Sequence, residues 1–413
     1  MKANYSTALA AAPGHKEHPF SVDEYRGRLE RLRGAMAAAK VDLLFLSAPE
    51  SIYYLTGFAC EWYQAQSGRS FPATTGVAVH VDHDDFIHFE TPSEAILTAF
   101  GTASRDVRIF PLESRRDGLG FILKELGAEG WLRGRLGLEL YNYRPNPMQA
   151  EQFRERFAAA GMEVVDGTDI LRGVRHIKSP AEMACFAEAA RIADIGMAAA
   201  RAAIAPGVME LEVFGEFIAA MTKAGGEFPG ILPPVMSGFR SNALHPLATR
   251  KKIEKGDRVN VDLCGVYNRY HCNIARGFWV GEPPAAAAKM HADSIKAFEI
   301  IEGMLKPGMK VRAMLEAVRD HYAAAGILDD CYWSGGYELG VAFPPDWVGA
   351  FIYDLTMSGP EVTFKPMTVV NHECNFYAPD SLGMSATIDT FFFHEDRAEF
   401  ACKAPRDLQV LHA

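Results

Sequence analysis

The sequence lacks features that mark several common classes of protein. No apolar run approaches the roughly 18 residues that a membrane-spanning helix needs, so no membrane partner is expected. The seven cysteines are odd in number and form no C-x-x-C pair, which indicates reduced thiols in a cytoplasmic protein. The formal net charge of -10 is the opposite of the basic excess typical of nucleic-acid binding, so no nucleic-acid partner is expected.

Signatures of metal and nucleotide sites are also missing. The chain has no His-Glu-x-x-His motif and no carboxylate cluster at helical or strand spacing. The glycines of residues 335–340 do not have the spacing of a phosphate-binding loop, and they indicate tight packing or close approach of the backbone to a ligand. We therefore expect neither a metal nor any other cofactor.

The chain of 413 residues, 49% of them hydrophobic, is long enough for two domains. A capping box at Ser21 opens a helix, and the strands and the hairpin that follow it favour an α/β layer domain. A second capping box, Ser179 to Glu182 with Pro180 at the first helical position, opens a long helix. The predicted organisation is a flexible tail (residues 1–20), an N-terminal domain (21–175) and a second domain (176–413).

The second domain contains an internal sequence repeat. Residues 206–225 begin with the same Pro-Gly pair and end with the same Ala-Gly pair as residues 307–326. Each segment predicts a helix after a long helix, followed by a Lys-led strand that reaches an acid, Asp262 or Glu373. The repeat is either a coincidence of common helix-start residues or the sign of a duplicated, pseudo-symmetric fold with a site between its halves.

Polar side chains follow the alternation of a predicted hairpin with strands at residues 258–264 and 270–278. Asp262 lies on one polar face, and His271 and Asn273 lie on the polar face of the partner strand. Buried polar groups need partners. Asp262 and Asn273 are therefore either a structural hydrogen-bonded pair or part of a site.

Two further residues are candidates for chemistry. His245 lies in a loop between Arg240 and the basic run at residues 250–252, where a histidine is either solvated or a general acid or base near neutral pH. Glu373 ends the second Lys-led strand. A glutamate that points inward there is a costly buried charge unless a cation meets it.

The chain resembles the creatinase/aminopeptidase P superfamily over nearly its whole length. The motifs that carry the resemblance are Ile177-Lys178-Ser179-x-x-Glu182, the His245 loop, the Asp262 hairpin ending in Ile274-Ala275-Arg276-Gly277-Phe278, the turn from Gly336 to Gly340, and Glu373. The resemblance implies a mixed α/β (α+β) fold, with a creatinase-like N-terminal domain and a C-terminal pita-bread domain of two pseudo-twofold halves.

The resemblance also argues against a dinuclear metal centre. Metal-dependent members hold two ions with two aspartates, a histidine and two glutamates, and these positions fall here on Asp262, Asn273, Tyr337, Glu373 and Thr387. Because asparagine, tyrosine and threonine are poor ligands for such a pair, a metal-independent enzyme is expected.

Creatinase works without a metal, and the resemblance to it implies roles for two residues. His245 is expected to transfer protons to and from the attacking water and the leaving nitrogen, and Glu373 to bind a cationic substrate. The stretch from Phe343 to Trp347 resembles ectoine-hydrolase-like members, which open a cyclic amidine, and there Asp262 suits a counter-ion or a nucleophile. The expected substrate contacts are His271, Asn273, Tyr337, Arg240, Trp62 and Tyr63.

The family resemblance further implies a homodimer in which the N-terminal domain of one subunit caps the site of the other. The aromatic stretch that contains Trp62 and Tyr63 is the expected cap, although the same stretch also fits an ordinary surface loop. The predicted function is hydrolysis of a non-peptide C–N bond in a small cationic or zwitterionic molecule. The alternatives are an elimination enzyme like the lyases that release dimethyl sulfide from a sulfonium propionate, and a binding module without catalysis.

Overall fold

The computed structural model describes residues 3–60, 75–356, 359, 361–378 and 382–412. The chain divides into two compact units, Met1–Arg175 and His176–Ala413. In these described ranges, no helix is both long enough and apolar enough to cross a membrane.

The first unit is a layered α/β domain. Its helices are α1 (Ala3–Ala10), α2 (Val22–Ala39), α3 (Pro49–Thr56), α4 (Ala95–Gly101), α5 (Gly118–Ala128), α6 (Pro147–Ala159) and α7 (Thr168–His176). Its strands are β1 (Leu43–Leu46), β2 (Gly76–His80), β3 (Phe86–Glu90), β4 (Asp106–Ile109), β5 (Arg135–Leu138) and β6 (Glu163–Asp166). The described strands form a mixed sheet in the order β4-β3-β2-β1-β5-β6. Apolar clusters cover both of its faces, as layer packing requires.

The segment predicted to be a flexible tail contains structure. Residues 3–10 form α1, and the Tyr5 hydroxyl donates a hydrogen bond of 2.5 Å to the Pro92 carbonyl. Farther along, Lys16 Nζ donates to the Ala99 carbonyl, and the Glu17 N–H donates to that of Phe100. These are contacts with the turn before α4 and with α4 itself, which the alanine-rich sequence of the segment did not reveal.

The second unit contains the larger sheet. Its helices are α8 (Pro180–Ala203), α9 (Glu210–Lys223), α10 (Ala285–Met304) and α11 (Val311–Ala325). Its strands are β7 (Val235–Ser237), β8 (Arg258–Tyr267), β9 (Tyr270–Val280), β10 (Cys331–Tyr337), β11 (Ile352–Asp354), β12 (Thr368–Tyr377), β13 (Met384–Phe393), β14 (Ala398–Phe400) and β15 (Gln409–Leu411). The main path of the sheet runs β11-β10-β12-β13-β9-β8-β7.

The internal sequence repeat corresponds to a repeated structural unit. α8 and α9 precede the antiparallel hairpin β8–β9, and α10 and α11 precede the antiparallel hairpin β12–β13. An isolated antiparallel bridge stands before the second helix of each pair, Met209 with Lys252 and Lys310 with Thr363. The two hairpins lie side by side in the sheet because β9 pairs with β13.

The first hairpin is longer than its sequence pattern predicts. β8 continues through Gly265 to Tyr267, and the turn is made by Asn268 and Arg269, both with positive φ. A Cβ at Gly265 would lie 2.0 Å from the carbonyl oxygen of Ala189 in α8. The glycine therefore permits close helix–sheet packing and does not end the strand.

Candidate active site

Asp262 and Glu373 lie in one cross-strand row of the central sheet. Asp262 pairs with Ala275, Ala275 with Ile388, and Ile388 with Glu373. Directly opposed residues of paired strands share a face. The two carboxylates thus come from the two repeated hairpins and face the same side, with small or apolar residues between them.

Asn273 connects Asp262 to the rest of the site. Its Nδ2 donates to Asp262 Oδ1 at 2.7 Å and to the Leu263 carbonyl at 3.2 Å. Its Oδ1 accepts from Asn371 Nδ2 at 3.1 Å, and at 3.5 Å from the hydroxyl of Tyr337. Asn273 is fully buried, so each of these bonds satisfies a group that water does not reach.

Glu373 is held between two asparagines on its own strand. Asn371 Nδ2 donates to Glu373 Oε1, and Asn375 Nδ2 donates to Oε2, each at 3.2 Å. Residues two apart on a strand share a face, so the three side chains form a row along β12. Asn371 also accepts the backbone N–H of Tyr337 at 2.7 Å through Oδ1.

Tyr337 and Trp347 close one side of the network. The indole Nε1–H of Trp347 donates to the Tyr337 hydroxyl at 3.0 Å, and both side chains are buried. Burial, followed by the charges of Glu373 and Asp262, raises the pKa of Tyr337 well above its ordinary value. The phenol therefore stays neutral and keeps a proton to donate.

Solvent reaches the two carboxylates more than it reaches their partners. Asp262 and Glu373 are partly exposed, whereas Asn273, Tyr337, Asn371 and Asn375 are buried. Burial raises the pKa of Asp262 to about 6, although the hydrogen bond from Asn273 stabilises the ionised form and by itself lowers the pKa. Burial and then the charge of Asp262 raise the pKa of Glu373 to about 8. Near neutral pH the pair therefore shares one proton, and the stronger upward shift of the pKa is that of Glu373.

His271 and Arg240, two of the expected substrate contacts, have other partners. The buried His271 ring lies between the Arg269 carbonyl at Nδ1 (2.9 Å) and the Gly230 N–H at Nε2 (2.9 Å). Because a backbone N–H can only donate, Nε2 is the unprotonated nitrogen, and burial lowers the pKa of the ring well below its ordinary value. Arg240 pairs with the buried Glu210 at 3.2 Å.

The remaining predicted residues lie apart from this network or outside the described ranges. His245 is exposed on a loop and makes no hydrogen bond or ion pair with any described residue. Its catalytic role remains a prediction. Trp62 and Tyr63 fall outside the residues that the structure describes. The family position assigned to Thr387 is displaced by one residue, because Ile388 is the residue that pairs with Glu373 and shares its face.

Asn371, Asn375 and Trp347 belong to the network although the sequence did not predict a role in it for any of the three. The signal for the asparagines was available as alternation, because they stand two residues on either side of Glu373. The pattern was not interpretable without knowing which face of β12 meets the Asp262 hairpin. The hydrogen bond of Trp347 to Tyr337 joins two residues that are separated by a loop, so no periodicity in the sequence predicts it.

The donor set fits a dinuclear metal centre poorly. Asp262 and Glu373 are the only carboxylates in the described network, and amide N–H groups already donate to one oxygen of Asp262 and to both oxygens of Glu373. No group of three or more His, Cys, Asp or Glu side chains placed to hold a metal ion occurs in the described part of the chain. Ile388 on the site face supplies no ligand.

Comparisons with known proteins find a matching family profile for each of the two units of the chain. The profile of the metallopeptidase family M24 matches residues 184–395, and that of the creatinase/prolidase N-terminal domain matches residues 28–177. An Xaa-Pro dipeptidase of Pyrococcus furiosus is 26% identical over 92% of this chain and 99% of its own length. The ectoine hydrolase of Halomonas elongata is 24% identical over 80% of this chain and 84% of its own length.

Solved structures agree with these matches at the level of the fold. The prolidase of Pyrococcus horikoshii superposes with a TM-score of 0.75 and 22% identity, over 92% of this chain and 99% of that one. The predicted fold, a creatinase-like N-terminal domain followed by a pita-bread domain, is confirmed.

Proposed function

The chain belongs to metallopeptidase family M24, a family of hydrolases, and we propose that it hydrolyses a non-peptide C–N bond of a small cationic or zwitterionic compound without a bound metal. The observation that carries the proposal is the Asp262–Glu373 pair, which shares one proton near neutral pH and is the solvent-accessible part of an otherwise buried amide network.

The donor set supports metal independence. Asn273, which stands at a carboxylate position of the metal-dependent members, donates to Asp262, and Asn371 and Asn375 donate to Glu373, so the amides of the site act as hydrogen-bond donors to the two carboxyls and not as metal ligands. Asn273 cannot turn its oxygen toward an ion at Asp262 without losing the bond from Asn371. We therefore route no step through a metal.

The charges favour a substrate with N–H donors and positive charge. The accessible groups of the network are two carboxyls, and a cation near them offsets the cost of an ionised Asp262 in a partly buried site. An amidinium or guanidinium presents several N–H groups in a plane, which matches carboxyl acceptors. The similarity to ectoine hydrolase over most of both chains supports a compound of this kind.

The pKa order supports different tasks for the two carboxyls. Asp262, ionised near neutral pH, accepts a proton from the attacking water as the new C–O bond forms. Glu373, protonated in the same range, donates its proton to the nitrogen as the C–N bond breaks. Water thus contributes a hydroxyl group to carbon and one proton to Asp262, Glu373 gives its proton to the leaving nitrogen, and transfer of the proton from Asp262 to Glu373 then restores the starting pair.

Tyr337 is the best available donor for the oxygen that becomes negative during the attack. Both N–H groups of Asn273 are already used, toward Asp262 and the Leu263 carbonyl. The Tyr337 hydroxyl makes a long bond of 3.5 Å to Asn273, also hydrogen-bonds with Glu373, and receives the Trp347 N–H, which strengthens it as a donor.

The test is a turnover screen of the purified protein after treatment with EDTA, with metal content measured in the same sample. The substrates are ectoine, hydroxyectoine, creatine and Xaa-Pro dipeptides. The proposal expects C–N hydrolysis of at least one non-peptide compound by the metal-stripped protein, and loss of that turnover in Glu373→Gln and Asp262→Asn. Peptide cleavage that disappears with EDTA and returns with a divalent ion would overturn it in favour of the dipeptidase relatives.

A further inference from the structure

Asn371 hydrogen-bonds to both halves of the carboxyl network. Its Nδ2 donates to Asn273 Oδ1 at 3.1 Å and to Glu373 Oε1 at 3.2 Å, and its Oδ1 accepts the backbone N–H of Tyr337 at 2.7 Å. The side chain is fully buried, so water does not substitute for any of these partners.

The backbone of β10 fixes the orientation of this amide. The Tyr337 N–H can only donate, so it selects the oxygen of Asn371 and turns the nitrogen toward Asn273 and Glu373. Asn273 must then present its oxygen to Asn371, and so its nitrogen faces Asp262. The hydrogen bonds therefore run in one direction, from the β10 backbone through two amides to the Asp262 carboxylate.

We infer that Asn371 is a positioning residue that orders the Asn273 amide and thereby holds Asp262 and Glu373 in one directed hydrogen-bond chain. The inference rests on the proposed function only in naming the two carboxyls as base and acid. Without Asn371, the Asn273 oxygen keeps, among the described residues, only the 3.5 Å bond from the Tyr337 hydroxyl. The amide that donates to Asp262 is then less firmly held and less polarised, so its bond to the carboxylate is weaker.

Asn375 provides a matched comparison on the same strand. It donates to Glu373 Oε2 at the same 3.2 Å as Asn371, and it is equally buried. In the described structure it makes no bond to Asn273. Loss of Asn375 is therefore expected to affect Glu373 alone, whereas loss of Asn371 affects both carboxyls.

The ionisation of the two carboxyls reports on this difference. The titratable groups that face them are Cys264 on β8, Tyr337 on β10, Tyr353 on β11 and Cys374 on β12. Burial raises the pKa of each of these four groups, so all four stay neutral between pH 5 and pH 9. Changes in that range come from Asp262 and Glu373.

The experiment is an infrared pH titration of the full-length protein between pH 5 and pH 9. Most carboxyls ionise near pH 4, so the carboxylic-acid band in this range belongs to groups with raised pKa. Asp262→Asn and Glu373→Gln assign the two steps, and the contribution of Glu139 in the first unit, whose pKa burial also raises, is common to all variants. The compared variants are Asn371→Val and Asn375→Val.

We expect Asn371→Val to move both midpoints upward, that of Glu373 by about one pH unit because it loses a donor, and that of Asp262 by less because the Asn273 amide that donates to it is less firmly held. Asn375→Val is expected to move only the Glu373 midpoint. An Asp262 midpoint that does not move in Asn371→Val would overturn the inference.

A second variant covers the case in which Asn371→Val does not fold. Asn371→Ala removes the amide without adding a charge, a new carboxyl band or a branched side chain, and the same upward movement of both midpoints is expected. The titration needs no substrate. A protein that turns over nothing in the screen but titrates as described would contradict the proposed function and leave Asn371 as the organiser of the pair.

Discussion

At the scale of single residues, the two carboxyls of the network link the chemistry of the site to pH. The pKa values of Asp262, about 6, and of Glu373, about 8, both lie above those of the unfolded chain, which are about 4 for such side chains. The folded protein therefore binds more protons than the unfolded chain in this window. Stability from these groups is fully present below about pH 4 and is lost as pH rises through their folded values.

Glu373→Gln tests that linkage. Glutamine has the shape of the protonated acid and does not ionise, so the variant escapes the cost of a buried charge. Its melting temperature relative to wild type is expected to rise from pH 5 to about pH 8 and to level off above that, where Glu373 is ionised in both the folded and the unfolded state. Scanning fluorimetry at pH 5, 7 and 9 measures this, with the half-exposed Glu188→Gln as the control. A difference between Glu373→Gln and wild type that is constant with pH would contradict the assignment.

His245→Ala tests the role that the family resemblance implies for this histidine. The role implied by the resemblance predicts a fall in turnover of at least about a hundredfold, as for loss of a general acid or base, whereas proton transfer by Asp262 and Glu373 alone predicts no fall. The melting temperature should not change, because the side chain is exposed. His15→Ala, also at an exposed histidine, is the control. Full turnover in His245→Ala would leave proton transfer to Asp262 and Glu373 alone.

At the scale of secondary-structure elements, an ion pair links the segment before α8 to the end of β10. Lys178 Nζ lies 2.6 Å from Glu338 Oε1, and His176 Nδ1 lies 3.0 Å from Oε2. Burial alone would raise the pKa of Glu338, but Lys178 and His176 hold it at about 2. The motif that suggested the family thus has a structural role, next to Tyr337 of the site.

Lys178→Met is expected to destabilise the protein by about 3 kcal/mol, because it leaves the buried Glu338 without its closest cation. The double variant Lys178→Met/Glu338→Gln should recover part of that loss, since no unpaired charge remains. Urea unfolding at pH 7 measures both. The stabilising effect of the pair should disappear as pH falls toward 2, where Glu338 takes up a proton. Equal losses in single and double variants would argue against a buried charge as the cause.

At the scale of the whole molecule, the family match covers both units of the chain, and the assembly remains a proposal. We propose a homodimer in which residues 61–71 of one chain cap the site of the other. Size-exclusion chromatography with light scattering is expected to give twice the mass of one chain. A monomer that retains full turnover would remove this part of the proposal.

A mixture of two inactive variants tests the shared site. Trp62→Ala impairs the cap and Glu373→Gln impairs the acid, so each homodimer is expected to be nearly inactive. Subunit exchange creates mixed dimers with one intact site, which should restore about a quarter of wild-type turnover. Mixing Glu373→Gln with Asp262→Asn is the control, because no intact site can form from two defects in the same domain. Absence of recovery in the first mixture would mean that Trp62 acts within its own chain or not at all.

The sequence by itself determined the features that depend on neighbours along the chain. The capping boxes at Ser21 and Ser179 begin the helices α2 and α8, because a hydroxyl that satisfies the first free N–H groups needs only local geometry. The alternation around Asp262 predicted its hairpin, and the repeated Pro-Gly and Ala-Gly pairs predicted the two matching halves. The family resemblance that these motifs carried is confirmed, and with it the fold.

The tertiary structure alone decided which polar side chains meet. The row from Asp262 to Glu373 depends on the pairing of β9 with β13, two strands far apart in sequence, and no local pattern specifies that register. The same packing gave His271 two backbone partners, placed Ile388 where Thr387 had been assigned, and made Asn371 the junction of the network. Hydrogen-bond direction in a buried network is fixed by its partners, and those partners come together only when the sheet is complete.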